Sequence, residues 1–330
     1  MLILEYTHPR IKLMLSHPSR KLRILAAFLL GVVILWGAYA AYDQEKFPLD
    51  ENTRASAPGD FIELPDGMVH YELTGPATGP LVVLVHGFSA PMFAWDRNAP
   101  VLAQAGFRVL RFDLYGRGYS DRPPGPYNLD LFLRQISGLL QALEIQEPVH
   151  LVGLSMGGAL VAAFTNQYPD RVASVTLVDP QVVQITPQTI FPVNLPGVGE
   201  YLYTVYIQPY ILARQEDSFY NPALLPEWQA NYRVQMQYRG FRRALISTLR
   251  HFDIDPMAEY ARLGKTGKPI LLVMGEEDRT VPISYAPDLL ERLPGARFQA
   301  LPEAGHVSNY ERADLFNPLV IEFLDSLTRR

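Results

Sequence analysis

One hydroxyl stands almost bare in the segment V-H-L-V-G-L-S-M-G-G-A-L (residues 149–160): Ser155 has Gly153 before it and Gly157 and Gly158 after it. Val149, Leu151 and Val152 before it are apolar, as in a buried strand, and A-L-V-A-A after it reads as a helix. Strand, G-x-S-x-G, helix is the setting of a nucleophile elbow, where a sharp turn holds the serine in a strained conformation and flanking glycines remove colliding side chains. The new helix would add its positive N-terminal end and the N–H of Met156 beneath a developing oxyanion. Serine at its free pKa is a poor nucleophile, so it needs a base and a group to orient that base.

Seven histidines limit the choice. His8 and His17 precede a long apolar run, His70 falls in an early hairpin, His150 in a strand and His251 in an insert. His86 opens H-G-F-S directly after a strand, where it shapes a loop. His306, in L-P-E-A-G-H-V-S-N-Y after the last strand, remains as the base, and Gly305 gives its loop room. Asp278, in I-L-L-V-M-G-E-E-D-R-T-V-P, is the acid placed just past a strand end; Asp179, in V-D-P, is the competing acid. Ser155, Asp278, His306 is a chain order known for such triads, and the backbone N–H of Phe88 is expected as the second oxyanion donor.

These residues need a scaffold that brings strand ends together. Apolar runs at 81–85, 107–112, 149–154, 175–178, 270–274 and 296–301 predict strands buried on both faces, preceded by a hairpin turning at P-D-G, residues 65–67. Helical stretches near 95–105, 128–144, 156–168, 284–293 and 311–328 alternate with them, which predicts an α/β fold with a mostly parallel central sheet flanked by helices. No buried strand is expected between Asp179 and Lys268. That length predicts a helical cap, residues 181–260, inserted after the sixth strand. The insert carries 13 of the 37 aromatic residues, enough for a pocket roof, a small core of its own, or both. The core is expected over 61–180 and 261–330, joined to the N-terminal region by a polar linker, 43–60.

Residues 1–23 carry a charge of +4, leaving −9 for the remainder of a chain whose net charge is −5. Residues 24–42 contain no charge at all, enough for a helix of roughly 28 Å, about one hydrocarbon core. Basic residues before the run and acidic ones after it predict a signal-anchor helix, N-terminus cytoplasmic and body outside, with Trp36, Tyr39 and Tyr42 in the interfacial belt. A signal peptide cleaved near Ala40 is the competing reading, giving a secreted product. The acidic balance gives no nucleic-acid footprint. Absence of cysteine excludes disulfides and thiolate chemistry. G-R-G (116–118) lacks the third glycine of a dinucleotide fingerprint, and no phosphate-binding G-x-x-x-x-G-K or zinc-type histidine pair occurs, so neither cofactor nor metal is expected.

H-G-F-S (86–89), F-D-L-Y-G-R-G-Y-S (112–120), G-L-S-M-G-G (153–158), Y-P-D-R-V (168–172), G-E-E-D-R-T-V-P (275–282) and A-G-H (304–306) together resemble the α/β-hydrolase superfamily over residues 61–328. The resemblance implies its fold, a structural role for Asp113, Gly116 and Gly118, and hydrolysis through an acyl-enzyme. Serine at the elbow, in place of aspartate, argues against dehalogenase- and epoxide-hydrolase-like chemistry. S-M-G-G resembles monoacylglycerol lipases and esterases, implying a small lipophilic ester as substrate. It also resembles carbon–carbon bond hydrolases of the meta-cleavage type, although Leu154 stands where those usually carry Asn, and Val307 where an aromatic often follows. A non-catalytic scaffold is the third reading, opposed by a triad with no member missing.

Overall fold

Strands apolar on every position must be covered on both faces, and that requirement organises the protein. In the computed structural model, which describes residues 19–328, eight strands form one sheet of order β1-β2-β4-β3-β5-β6-β7-β8. They are β1 (Asp60–Leu64), β2 (Gly67–Thr74), β3 (Leu81–Val85), β4 (Arg108–Phe112), β5 (Val149–Leu154), β6 (Val172–Val178), β7 (Ile270–Gly275) and β8 (Arg297–Leu301). The β1–β2 hairpin and the β2–β4 pair are antiparallel, and all other pairings are parallel.

Helices α1 (Arg20–Tyr42) and α2 (Glu51–Arg54) precede the sheet. Helices α3 (Ala99–Gln104), α4 (Leu129–Ala142) and α5 (Met156–Gln167) follow β3, β4 and β5 in turn. Between β6 and β7 come α6 (Val198–Leu202), α7 (Gln208–Arg214), α8 (Leu225–Met236), α9 (Phe241–His251) and α10 (Pro256–Leu263). Helix α11 (Ala286–Arg292) precedes β8, and α12 (Ser308–Glu311) and α13 (Ala313–Thr328) close the described chain.

Strand β3 shows how the layers form. Leu81, Val83 and Val85 join Phe132, Ile136, Leu160 and Phe164 of α4 and α5 in one core. Val82 and Leu84 join Leu102 of α3 and Phe316 and Val320 of α13 in a second core on the opposite face. Helix α5 is buried continuously from Met156 to Thr165, as expected of a helix apolar around its whole circumference.

The expected insert is there, after the sixth strand, but its edges differ from the reading by composition. Residues 181–197 form irregular chain and turns, and helix begins only at Val198. Helix α10 belongs to the main core, because Tyr260 and Leu263 pack there. The insert's aromatic residues do build a core of their own, Tyr203, Tyr232 and Phe241 with Met236, Leu245 and Ile246, and Phe88 and Phe93 of the loop after β3 pack against it.

Residues 43–60 are no slack tether. The Asp50 side chain caps α2 through the Thr53 amide (3.0 Å), Arg54 pairs with Asp121, and Phe47 forms a β-bridge with Tyr238. Proline and glycine in this stretch hide its order from any periodicity argument, and Asp121 and Tyr238, the partners of Arg54 and Phe47, lie far along the chain.

The chain divides into two units, residues 1–42 and 43–330. In the first, α1 has no buried residue, and among the described residues it is the one helix long and apolar enough to cross a membrane. Residues 1–18, with most of the basic segment and His8 and His17, lie outside the described residues.

Candidate active site

Strand β5 ends at Leu154, α5 begins at Met156, and Ser155 makes the turn between them at φ 53°, ψ −116°. That conformation is costly for a residue with a side chain and persists only where the surroundings over-determine it. Three hydrogen bonds do so. The Ser155 amide donates to the Val178 carbonyl (2.9 Å), and its carbonyl accepts from the amides of Gly158 (2.9 Å) and Gln181 (3.1 Å). The glycines supply clearance: a Cβ on Gly157 would lie 2.3 Å from the Val85 carbonyl oxygen, and one on Gly153 2.3 Å from that of Gly157.

The three residues named from the sequence meet at this point. His306 Nε2 lies 2.9 Å from Ser155 Oγ, and His306 Nδ1 lies 2.8 Å from Asp278 Oδ2. The other carboxylate oxygen of Asp278 accepts from the amides of Thr280 (2.7 Å) and Val281 (2.9 Å). A carboxylate only accepts, so Nδ1 carries the proton and Nε2 turns its lone pair to the serine hydroxyl. Burial lowers the pKa of His306, but the hydrogen bond and charge of Asp278 outweigh it, with Asp179 adding to them, and the imidazole sits above its ordinary 6.5. A base must be neutral to act, so turnover is expected to fall as pH drops through that raised value. A pH–rate profile of kcat/KM should place the acidic limb above 6.5; a midpoint at or below it contradicts the Asp278 contact.

Asp179, the competing acid, takes another task. Its Oδ1 accepts from the Gly275 amide (2.8 Å) and its Oδ2 from the Ser308 amide (2.9 Å), tying the end of β7 to the start of α12. Burial and the neighbouring Asp278 push its pKa up to about 7.

Of the two expected oxyanion donors, Met156 is the first residue of α5, where an amide has no intrahelical acceptor. Phe88 lines the same cavity as Ser155. Its loop is held from behind by two side chains. His86, pushed down to about 4 by burial and therefore neutral, accepts the Leu114 amide on Nε2 (2.8 Å) and so donates from Nδ1 to the Gly87 carbonyl.

Arg117, fully buried, has no carboxylate partner among the described residues. It donates to the carbonyls of Phe88 (2.8 Å) and Tyr115 (3.0 Å) and to the Thr248 hydroxyl of α9 (2.9 Å). The motif G-R-G hinted at nothing of this. Arg117→Met keeps the apolar stem but leaves the Phe88 carbonyl without its donor. Its expected effect is a fall in kcat of roughly 10–100-fold, below the cost of deleting an oxyanion donor outright, with KM nearly unchanged. Thr248→Val, which leaves the Phe88 contact intact, should cost far less; equal losses in the two variants would mean Arg117 serves packing alone.

Glu311 was likewise missed. It lies beyond His306 in sequence, and its buried carboxylate accepts the amides of Gly305 (2.6 Å), Tyr220 (2.7 Å) and Asn221 (2.7 Å), stapling the histidine loop to the insert. The His306 amide donates to the Ser218 carbonyl (2.8 Å). Gly305 is needed because a Cβ there would lie 2.5 Å from that same Ser218 oxygen. Asp113 has the structural surroundings the family resemblance implied, accepting from His70 Nδ1 (2.6 Å) and the amides of Met92 (2.8 Å) and Tyr119 (2.9 Å).

Above Ser155 opens a cavity of about 650 Å³. Leu154, Phe88, Ile211, Phe219, Trp228 and Val307 give it apolar walls, and Arg279, Thr280 and Asp217 stand at its polar side.

Comparison with known proteins bears on the family and the fold. Residues 80–313 match the family model for the alpha/beta hydrolase fold. The chain is 30% identical to 2-hydroxy-6-oxo-6-phenylhexa-2,4-dienoate hydrolase of Comamonas testosteroni, over 79% of this chain and 93% of that one. The enol-lactonase of Burkholderia xenovorans LB400 superimposes with a TM-score of 0.68 at 25% identity, covering 80% of this chain and 99% of that chain. A membrane phospholipase A described as a bacterial virulence factor reaches the same TM-score at 22% identity, a likeness of fold alone, over 94% of this chain and 98% of that one.

Proposed function

We propose that this chain, which belongs to the alpha/beta hydrolase fold family, is a serine hydrolase that cleaves carboxylic esters of lipophilic acids and is held at a membrane by α1. In this reading Ser155 Oγ attacks the ester carbonyl while His306 Nε2 takes its proton. Asp278 holds the imidazole and stabilises the imidazolium. The amides of Phe88 and Met156 receive the developing oxyanion. His306 then returns the proton to the leaving alcohol, an acyl-Ser155 ester remains, and water activated by the same imidazole releases the acid.

The observation that carries ester over carbon–carbon cleavage is the wall beside the serine. Leu154 and Val307, the neighbours of Ser155 and His306 in sequence, both line the cavity and offer no side-chain hydrogen bond. A dienoate with its enol and carboxylate would leave polar groups unmatched there, whereas an acyl chain would not. The carbon–carbon reading keeps two supports of its own, the 30% identity to a dienoate hydrolase and Arg279, a cation in the cavity lining. The intact hydrogen-bonded triad speaks against a silent scaffold.

The test is turnover by the detergent-solubilised full chain of chromogenic esters of increasing acyl length, with fluorophosphonate labelling and the phenyl dienoate in parallel. Ester turnover rising with chain length and dependent on Ser155 is the expected result. Turnover of the dienoate alone moves the assignment to carbon–carbon cleavage. No label and no turnover, with Ser155→Ala indistinguishable, ends the hydrolase reading. Retention of the full-length chain in carbonate-washed membranes is expected for an anchor, and a soluble product beginning near Ala40 for a cleaved signal.

A further inference from the structure

We infer that the outer face of the helical run 198–214 seats on a lipid bilayer, so that the catalytic cavity draws its acyl ester from the membrane; this rests on reading α1 as a membrane anchor. Helix α6, a π turn (Tyr203–Ile207) and α7 form one uninterrupted helical run. Val198, Leu202, Tyr206 and Tyr210 follow one another along it at four-residue steps, which places them on one face. Val198, Tyr206 and Tyr210 are 46%, 62% and 57% exposed, while Gly199, Tyr203 and Thr204 on the other side are buried. A surface helix of a water-facing domain carries charge on its outer face. This run, V-G-E-Y-L-Y-T-V-Y-I-Q-P-Y-I-L-A-R, contains one acid, Glu200, bound to Arg250 (2.6 Å), and one base at its very end. Just before it, Phe191 is 67% exposed. Tyrosines with exposed aliphatic neighbours are the composition of a membrane interface.

The face leads to the chemistry. Tyr210 and Ile211, at its C-terminal end, line the cavity above Ser155. Attraction to anionic headgroups is not what holds this face, because the chain after residue 23 carries −9; the face offers exposed Val198, Tyr206 and Tyr210, and its one acid is bound to Arg250, so the contact is apolar.

The segment that follows α1 names that partner. Helix α1 ends at Tyr42, and the next residue, Asp43, already accepts from Arg242 (3.1 Å) of α9. The Glu45 carboxylate accepts the amides of Gly240 (3.0 Å) and Arg242 (2.5 Å) at the start of the same helix. The Phe47 amide donates to the Gln237 carbonyl (3.0 Å), and its carbonyl accepts from the Arg239 amide (2.9 Å). The strap that begins at Asp43 is therefore bonded to the cap, and the residue before it in the chain, Tyr42, is the last of the apolar helix. A tether this short confines the cap to the membrane's vicinity, where even modest apolar contact is effective.

The chain has no cysteine, so single cysteines can carry an environment-sensitive fluorophore. The full chain with Tyr206→Cys, Trp36→Cys or Glu291→Cys is labelled and reconstituted into phosphatidylcholine vesicles containing spin-labelled phosphatidylcholine. Labels at 36 and 206 should be quenched and the label at 291, on α11, should not, at low and high salt alike. A label at 206 quenched no more than that at 291, while 36 is quenched, overturns the seating and leaves the anchor standing. Absence of quenching at 36 removes the anchor and the seating together. Quenching requires no turnover, so failure of the ester reading is separable. In the kinetic arm, Val198→Asp and Tyr206→Asp are expected to lower turnover of a vesicle-borne long-chain ester about tenfold or more, with a water-soluble short ester little changed. Equal loss on both substrates counts against the proposal.

Discussion

Ser155→Ala is expected to lower kcat by roughly 10⁵–10⁶-fold and to abolish fluorophosphonate labelling, with the folded state intact. One oxygen is removed, and that oxygen is the atom 2.9 Å from His306 Nε2. The backbone bonds that hold the turn, from Ser155 to Val178, Gly158 and Gln181, do not involve the side chain. His306→Ala should cost about as much, and the double variant little more than either single one, because base and nucleophile act as one unit. Additive losses in the double variant would mean that the two residues work separately. A third variant reports on strain. At φ 53° and ψ −116°, a conformation close to the mirror image of extended backbone, glycine is at ease where serine is not. Ser155→Gly should therefore unfold at a higher temperature than Ser155→Ala, by about 1 kcal/mol in stability. Calorimetry on the two inactive variants checks this without any substrate.

The elbow was legible because all its signals are local: an apolar run, a glycine on each side of one hydroxyl, then an apolar helix. Glycine there means contact, and the 2.3 Å approach at Gly157 shows why no side chain fits. Strand β5 and strand β3 were readable to the residue because every position is buried on one face or the other, and only His150 of β5 interrupts the apolar pattern. The triad partners were legible for a weaker reason, scarcity of histidine together with strand-end placement. What escaped the sequence acts across long separations through backbone groups. Arg117 reaches the Phe88 carbonyl 29 residues away, and Glu311 reaches an amide 91 residues away. Neither leaves a periodic trace, since carbonyls and amides are the same at every position. The strap at residues 43–47 escaped likewise, its charges resembling those of any exposed linker.

Asp278→Asn is expected to cost roughly 10⁴ in kcat, the size seen when a triad carboxylate becomes an amide and the imidazole loses its enforced tautomer. The sharper outcome concerns Asp179, because a second buried carboxylate near His306 is an obvious stand-in. Geometry says it cannot serve. Both its oxygens are taken by backbone amides, Gly275 on one and Ser308 on the other, while His306 Nδ1 faces Asp278. Releasing either amide to reach the histidine would leave a buried donor unpaired at the end of β7 or the start of α12, a cost of about 1–3 kcal/mol. The double variant Asp278→Asn, Asp179→Asn should therefore be no less active than Asp278→Asn alone. If the single variant keeps a tenth or more of its rate and the double loses it, Asp179 is the reserve acid after all. Asp179→Asn by itself carries a signed prediction. The Asp179 carboxylate contributes to raising His306, so its removal should move the acidic limb of the pH–rate profile downward while Asp278 still holds the ring. Its own folded pKa, about 7 against an ordinary 3.8, means that its ionisation opposes folding as pH rises between those values. Part of what the wild type loses in stability from pH 4 to 7 should then be absent in Asp179→Asn, and denaturant unfolding at the two pH values measures it.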